Sequence, residues 1–307
     1  ISPMIKKFEV EKDFHNTRFD RWFKHKVLDI PQGLIEKIIR KNQAKINGKK
    51  TKSSYRVQEN DIIEIFNIDK IKKTEKNLIT QYIPSPTERD KYDDFIIENN
   101  KNFVVINKPA GIAVQSGTKS FKNVVDTLRE TKYFEDTKPF IVHRLDKETS
   151  GILIVAKTRE YAQLFTSLFR IRKIHKTYLA VVYGEVSKEI KVLEDDLVVY
   201  EKERKIVQKA LSYIKVLKDS SEYSLLELRP ITGRKHQLRK QLYNIGNSII
   251  GDDKYYVKRG KGFVKSKNLM LHAYEIKFMI NNVKYNFKAD FNKEFKDFLS
   301  NKDLNFF

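Results

Sequence analysis

The apolar positions of this chain fall into two patterned regions separated by a stretch without periodicity. Lys6-Lys7-Phe8-Glu9-Val10 alternates as a short strand within an N-terminal extension, residues 1–14. From residue 15 to 66 the pattern is that of a small unit. Phe19, Trp22 and Phe23 stand at i, i+3 and i+4, and Leu34, Ile35, Ile38 and Ile39 repeat the spacing, which predicts two amphipathic helices on either side of Pro31. Asn47-Gly48 predicts a two-residue hairpin turn between Ile46 and a segment through Tyr55-Arg56-Val57, and Asp61 to Ile65 predicts a closing strand. Residues 67–92 lose periodicity, carry Pro84 and Pro86, and are read as a linker.

Residues 93–307 read as one larger domain. Strands are predicted at Asp93 to Ile97, Phe103 to Ile106, Phe140 to Val142, Ile152 to Ala156, Lys176 to Gly184, Ala210 to Val216, Glu222 to Leu228 and Leu269 to Ala273. Helices are predicted over Val124 to Thr131 and Arg159 to Ile171, after Thr232, and over Lys293 to Leu299, with a hairpin turn at Asn281-Asn282. Strands and helices mixed in this way indicate an α+β fold: a mainly antiparallel mixed sheet with helices packed around it, preceded by the small module.

Charge narrows the partners. The chain has 61 Lys+Arg against 40 Asp+Glu, a formal charge of +21, and a pI near 9.7, which points to a polyanion. Seven lysines and arginines cluster between Lys37 and Lys52 in the small module, where Lys41, Lys45 and Lys49 are candidate phosphate contacts, because release of counterions from phosphate rewards such crowding. The alternative for that face is a solvated charged surface. The absence of cysteine excludes disulfides, zinc ribbons, thiolate catalysis and iron–sulfur ligation. No apolar run approaches the roughly 18 residues of a spanning helix, and no signal-peptide core stands at the N-terminus, so a cytoplasmic protein without a membrane partner is expected. Ile1-Ser2-Pro3 before Met4 reads as an expression remnant.

The candidate chemistry centres on Val142-His143-Arg144-Leu145-Asp146-Lys147-Glu148-Thr149-Ser150-Gly151, followed by an aliphatic strand. By residue type this is a turn, or a loop presenting a lone carboxylate on a rigid sheet. Its order is similar to the active-site motif of the RluA-type pseudouridine synthases. Four further segments stand in that family's order: Lys108-Pro109-Ala110-Gly111 upstream, Tyr178 in Lys176 to Gly184, Thr232-Gly233-Arg234-Lys235-His236-Gln237-Leu238-Arg239 with Gly251-Asp252 and Tyr255 beyond it, and Leu269 to Ala273. Leu238 and Lys240 depart from the usual pattern, and the segment from Tyr256 to Lys267 is unusually basic. Residues 15–66 resemble an S4 RNA-binding domain.

The resemblance implies an isomerase that breaks the N1–C1′ bond of a uridine in RNA and joins C5 to C1′, with no net redox change and no cofactor. It implies Asp146, Tyr178 and Arg239 as the catalytic set: Asp146 acts on the sugar, Tyr178 lies against the base as a candidate for removing the C5 proton, and Arg239 partners the aspartate. Substrate contacts are expected from Arg144, which would fill the space left by a flipped base or bind phosphate, and from His143, Lys108, Arg234, His236 and Leu271. A metal site or triad built on His143, His236 and His272 is not expected, because none has a helical i, i+4 histidine partner and no His-Glu-x-x-His or Gly-x-Ser-x-Gly pattern occurs. Asn47 to Thr51 lacks the first glycine and preceding strand of a phosphate loop.

The S4-like module, residues 113–118 and the basic segment place the chain nearest the RluC branch. That implies large-subunit ribosomal RNA, at more than one uridine, as the substrate of a monomer with no protein partner; transfer RNA is the alternative substrate. A non-enzymatic RNA-binding assembly factor is the rival from another class, and a DNA-binding regulator is weaker because no helix-turn-helix is visible.

Overall fold

The computed structural model of the chain describes residues 5–68, 82–116, 121–201, 204–256 and 268–305. It divides into two units, Ile1–Thr80 and Gln81–Phe307.

The first unit holds strands β1 (Ile5–Glu9) and β2 (Thr17–Arg18), helices α1 (Phe19–Lys26) and α2 (Gln32–Arg40), and strands β3 (Ala44–Ile46), β4 (Lys49–Lys50), β5 (Arg56–Val57) and β6 (Ile62–Phe66). Phe19, Trp22 and Phe23 of α1 meet Ile35 and Ile38 of α2 over Ile63 and Ile65, so the helical spacing of the apolar residues becomes one buried core. Two strands sit differently from expectation. The extension is not separate, since β1 pairs along the whole of β6. Asn47-Gly48 turns β3 into β4, not into Arg56-Val57, which pairs with β2. Both turn residues have positive φ, 50° and 74°, as a tight hairpin requires. Asp61 secures this turn by accepting from Asn47 Nδ2 (2.8 Å), Tyr55 OH (3.1 Å) and Gln58 N (2.8 Å). Lys41 and Lys49 are exposed beside it, and Lys45 lies half-buried with Nζ 5.4 Å from the Phe66 ring.

Part of the expected linker is folded. Residues 69–81 lie outside the described residues, but α3 (Pro86–Asp90) begins on a capping box between Ser85 and Glu88 and belongs to the second unit. Strands β7 (Ile96–Asn99) and β8 (Phe103–Lys108), helix α4 (Val124–Arg129), strands β9 (Phe140–Ile141) and β10 (Ser150–Ala156) and helix α5 (Arg159–Arg170) follow. Then come β11 (His175–Tyr183), β12 (Val192–Glu201), β13 (Arg204–Asp219), β14 (Tyr223–Pro230), α6 (Gln237–Asn244), β15 (Leu271–Ile280), β16 (Val283–Lys288) and α7 (Lys293–Asn301).

The large sheet runs β12-β13-β14-β11-β15-β10-β8-β7, with β16 on β15 and β9 on β10. Among the described strands every pairing in it is antiparallel except β10 with β15, which is parallel and spans two residue pairs, Ser150 with His272 and Gly151 with Ala273. Strand β10 is buried at each of its seven positions. Ile152, Ile154 and Ala156 pack on one face with Phe165 of α5, and Leu153 and Val155 pack on the other with Val124 and Leu128 of α4. That explains why its sequence is continuously aliphatic and not alternating. Gly151 has φ +108°, and a Cβ there would lie 2.3 Å from the Ala273 carbonyl oxygen. No other residue lets β10 approach β15 so closely.

Candidate active site

Asp146 sits on the loop between β9 and β10, and its side chain is about one-fifth exposed. The loop is fastened on both sides of it. Leu145 is buried in the core with Val124 and Leu128, Lys147 O accepts from Gly111 N at 2.9 Å, and Thr149 N closes the turn onto Asp146 O at 3.1 Å. The carboxylate lies where two cavities meet. One, of about 420 Å³, is lined by Arg144, Asp146, Lys176, Tyr178, Arg234, His236, Arg239 and Leu271 among others. The other, of about 680 Å³, shares Arg144, Asp146, His236 and Arg239 and continues along Ala113 to Ser116 and Lys254.

Four separate elements thus converge on one carboxylate. Tyr178 enters from β11 at a bulge against β15, between Thr177 and Tyr178, the kind of irregularity that re-aims a side chain. Burial, reinforced by Asp146, pushes its phenol well above the ordinary tyrosine range. Tyr178 therefore keeps its proton at neutral pH and is suited to stacking and donating, not to accepting a proton. Leu271, buried at the start of β15, stands opposite Ala180. His236 and Arg239 come from the first turn of α6, which is pinned by Gln237 and Gln241: their amides bond Thr232 and Ser212, and Gln241 Nε2 donates to Leu193 O. Arg234 Nε donates to Lys209 O at 3.1 Å, and Arg144 is exposed on both cavities.

Three expected contacts resolve differently. Arg239 does not pair directly with Asp146; it is buried, and its Nε and NH2 grip both oxygens of Asp252 at 2.7 Å, with Asp253 at 3.3 Å. Two parallel charged hydrogen bonds hold the planar guanidinium there, and Asp146 contributes only longer-range attraction. Lys108, expected to touch substrate, lines neither cavity. It is fully buried and donates to Pro109 O (2.8 Å), Ile112 O (2.9 Å) and Lys147 O (3.1 Å), and desolvation lowers its pKa to about 7. It ties the upstream Lys-Pro-Ala-Gly loop to the loop carrying Asp146. His143 lines the second cavity, but its Nε2 is engaged by Ile154 N at 2.8 Å, its ring stacks on Phe169 at 4.7 Å, and burial holds its pKa near 3. His272 bridges Ser150 Oγ (2.8 Å) and Ala289 O (3.0 Å). Among the described residues no cluster of three or more His, Asp or Glu side chains suited to a metal ion is found.

Asp252 and Tyr255, already part of the motif after Gly251, join the site through Arg239 and His236, and Lys176, which its residue type does not mark out, lines the first cavity. Gly251 has φ +79°, and a Cβ there would lie 2.1 Å from Asn268 O. Lys176 is two residues before Tyr178 on the same strand, and burial lowers its pKa. Among the described residues, the basic group within 4 Å of the Asp146 carboxylate is the His236 ring, with Nε2 at 3.7 Å from Oδ1.

The mostly antiparallel sheet gathers Asp146, Tyr178 and Arg239 around one cleft, and the relatives of the chain show that it belongs to the RNA pseudouridine synthase family. The family model described as RNA pseudouridylate synthase matches residues 102–244. Among curated relatives, a protein named ribosomal large subunit pseudouridine synthase C from Rickettsia conorii is 35% identical over 277 residues, covering 85% of this chain and 88% of its own. The protein of the same name from Haemophilus influenzae is 30% identical over 301 residues, covering 91% and 88%. Among solved structures, human RNA pseudouridylate synthase domain containing 4 shares the fold at TM-score 0.60 and 24% identity, over 70% of this chain and 95% of that one. The chain is an RNA-modifying isomerase. No helix among the described residues is long and apolar enough to cross a membrane.

Proposed function

We propose that this protein converts uridines of large-subunit ribosomal RNA to pseudouridine, at more than one position, with Asp146 as its catalytic carboxylate. The supporting observation is the single cavity that Asp146 shares with Tyr178, Leu271 and Arg239; the names of the relatives indicate the RNA. The target uridine leaves its stack, at a cost on the order of a few kcal/mol, and enters between Tyr178 and Leu271. Asp146 faces the sugar, where C1′ becomes electron-poor as the bond to N1 breaks, and a fixed carboxylate stabilises that carbon. The uracil turns in place, C5 bonds to C1′ once N1–C1′ has broken, and the proton given up by C5 to solvent is matched by one gained at N1, so the formula is unchanged. No electrons are gained or lost. Tyr178, still protonated, stacks on the base, and Arg144 at the junction of the cavities occupies the space the base has left. The first unit, read as an S4-like module, holds RNA through Lys41, Lys45 and Lys49, and the protein acts as a cytoplasmic monomer.

The test is incubation of the purified chain with unmodified large-subunit ribosomal RNA transcript, without added metal or nucleotide, followed by pseudouridine mapping. Several modified uridines are expected, and Asp146→Asn should abolish them while leaving RNA affinity near wild type. Product from Asp146→Asn at wild-type rate removes Asp146 from this role, and product confined to transfer RNA replaces the substrate.

A further inference from the structure

His236, like Arg172, is left-handed without being glycine, asparagine or aspartate among the described residues. It caps α6 with φ 53° and ψ 31°, a left-handed conformation that residues other than glycine adopt uncommonly and at some cost. Such strain persists only where the surroundings over-determine it. Here they do: Nδ1 lies 3.0 Å from Tyr255 OH, and Nε2 points at Asp146 Oδ1 from 3.7 Å. Tyr255 is itself fixed. Its backbone N–H donates to Asp252 Oδ1 at 2.8 Å, and the Arg239 guanidinium, gripped by the same Asp252, lies 5.2 Å over its ring. A continuous chain of contacts thus runs from Asp252 through Arg239 and Tyr255 to His236 and ends on the carboxylate.

We propose that His236 is a positioning residue for Asp146: it presents Nε2–H to the carboxylate, while the Tyr255 hydroxyl donates to Nδ1 and so fixes the tautomer and the ring plane. The inference rests on Asp146 being the catalytic carboxylate. An ionised carboxylate only accepts, so the nitrogen facing it must carry the proton, which leaves Nδ1 to accept from tyrosine. Burial lowers the pKa of the ring, Asp146 opposes this, and Arg239, Lys254 and Lys235 add to it; the ring is therefore neutral at pH 7, as the chain of donors requires. The 3.7 Å contact becomes a hydrogen bond with a closure of about 0.7 Å, the tightening that catalytic contacts show once substrate is bound. Arg239 then acts on Asp146 through Tyr255 and His236, which reconciles its place in the site with its grip on Asp252.

Turnover of an unmodified ribosomal RNA transcript by full-length His236→Gly, His236→Asn and Tyr255→Phe, with Asp146→Asn alongside, tests this. Glycine accepts the left-handed backbone without strain, so His236→Gly should keep its thermal stability and RNA affinity while kcat falls roughly tenfold to a hundredfold, the loss expected of one hydrogen bond to a charged group. His236→Asn, which tolerates the same backbone and offers an amide N–H, should recover part of that loss. Tyr255→Phe should lower kcat with KM unchanged. A kcat for His236→Gly within about twofold of wild type, well short of that loss, overturns the proposal, as does weakened RNA affinity at unchanged kcat, which would make His236 a substrate contact. Turnover by Asp146→Asn instead overturns the reading beneath it and the proposal together.

Discussion

Lys108→Met separates a residue that binds RNA from one that holds the site in shape. Methionine matches the lysine stem but removes the ammonium and its three hydrogen bonds to Pro109, Ile112 and Lys147 carbonyls. Hydrogen bonds from a charged donor contribute roughly 1.5–3 kcal/mol each, together about 4.5–9. Burial offsets part of this, as the pKa lowered from 10.5 to about 7 shows. The balance favours lysine modestly, and the carbonyls of Pro109 and Ile112 lose their donor in the variant, while Lys147 O keeps Gly111 N. A loss of roughly 2–4 kcal/mol is expected, with Tm falling by about 2–4 °C for each kcal/mol in a unit of this size.

The same substitution carries a pH signature. The unfolded lysine titrates near 10.5 and the folded one near 7, so between these values the unfolded chain binds more protons, and stability rises with pH. Urea melts from pH 7 to 10 should show this rise in wild type and lose it in Lys108→Met. RNA affinity should be unchanged by the substitution, and turnover should fall as the Asp146 loop loosens. A large loss of affinity with unaltered urea midpoints would refute the structural role and restore lysine as a substrate contact.

Two further outcomes are expected. Gly151→Ala places a Cβ 2.3 Å from Ala273 O at φ +108° and should destabilise the protein by roughly 2–4 kcal/mol, read by chemical denaturation, with turnover reduced by more than RNA affinity. Deleting residues 1–80 should leave a folded second unit whose RNA affinity falls less steeply with salt, by about 0.7–0.9 in log–log slope for each phosphate that the first unit neutralises; an unchanged slope in a binding titration across salt concentrations removes the first unit from RNA binding.

Much of this is legible in the residues because it depends on local pattern. The helices of the first unit follow from Phe19, Trp22, Phe23 and Leu34 to Ile39, the hairpin turn from Asn47-Gly48, and β10 from its aliphatic run. The motif order also brings together Asp146, Tyr178, Arg239 and Leu271, which the fold gathers around one cavity. What the residues do not reveal is which polar atoms meet. That Arg239 faces Asp252, that Lys108 turns inward onto three carbonyls, and that His143 accepts from Ile154 are settled by how loops approach one another after the sheet has formed, and side-chain type leaves several partners open. The alternation of Lys6 to Val10 shows a strand but not its partner, and the five-residue helix at the end of the expected linker carries too few periodic positions to stand out.

The two-pair join between β10 and β15 brings together strands made more than a hundred residues apart. Strands β8 and β10 pair with each other along six residues, so the loop bearing Asp146, together with Lys108 beneath it, is complete in the chain by residue 156. Leu271, and the partner strand that aligns Tyr178 in the cleft, arrive with β15 more than a hundred residues later. A nascent chain cut off before Leu271 therefore carries the carboxylate and most of the cavity lining in its sequence but lacks Leu271 and the strand that aligns Tyr178 beside it. The capacity to modify RNA arises all at once, when β15 slides between β11 and β10.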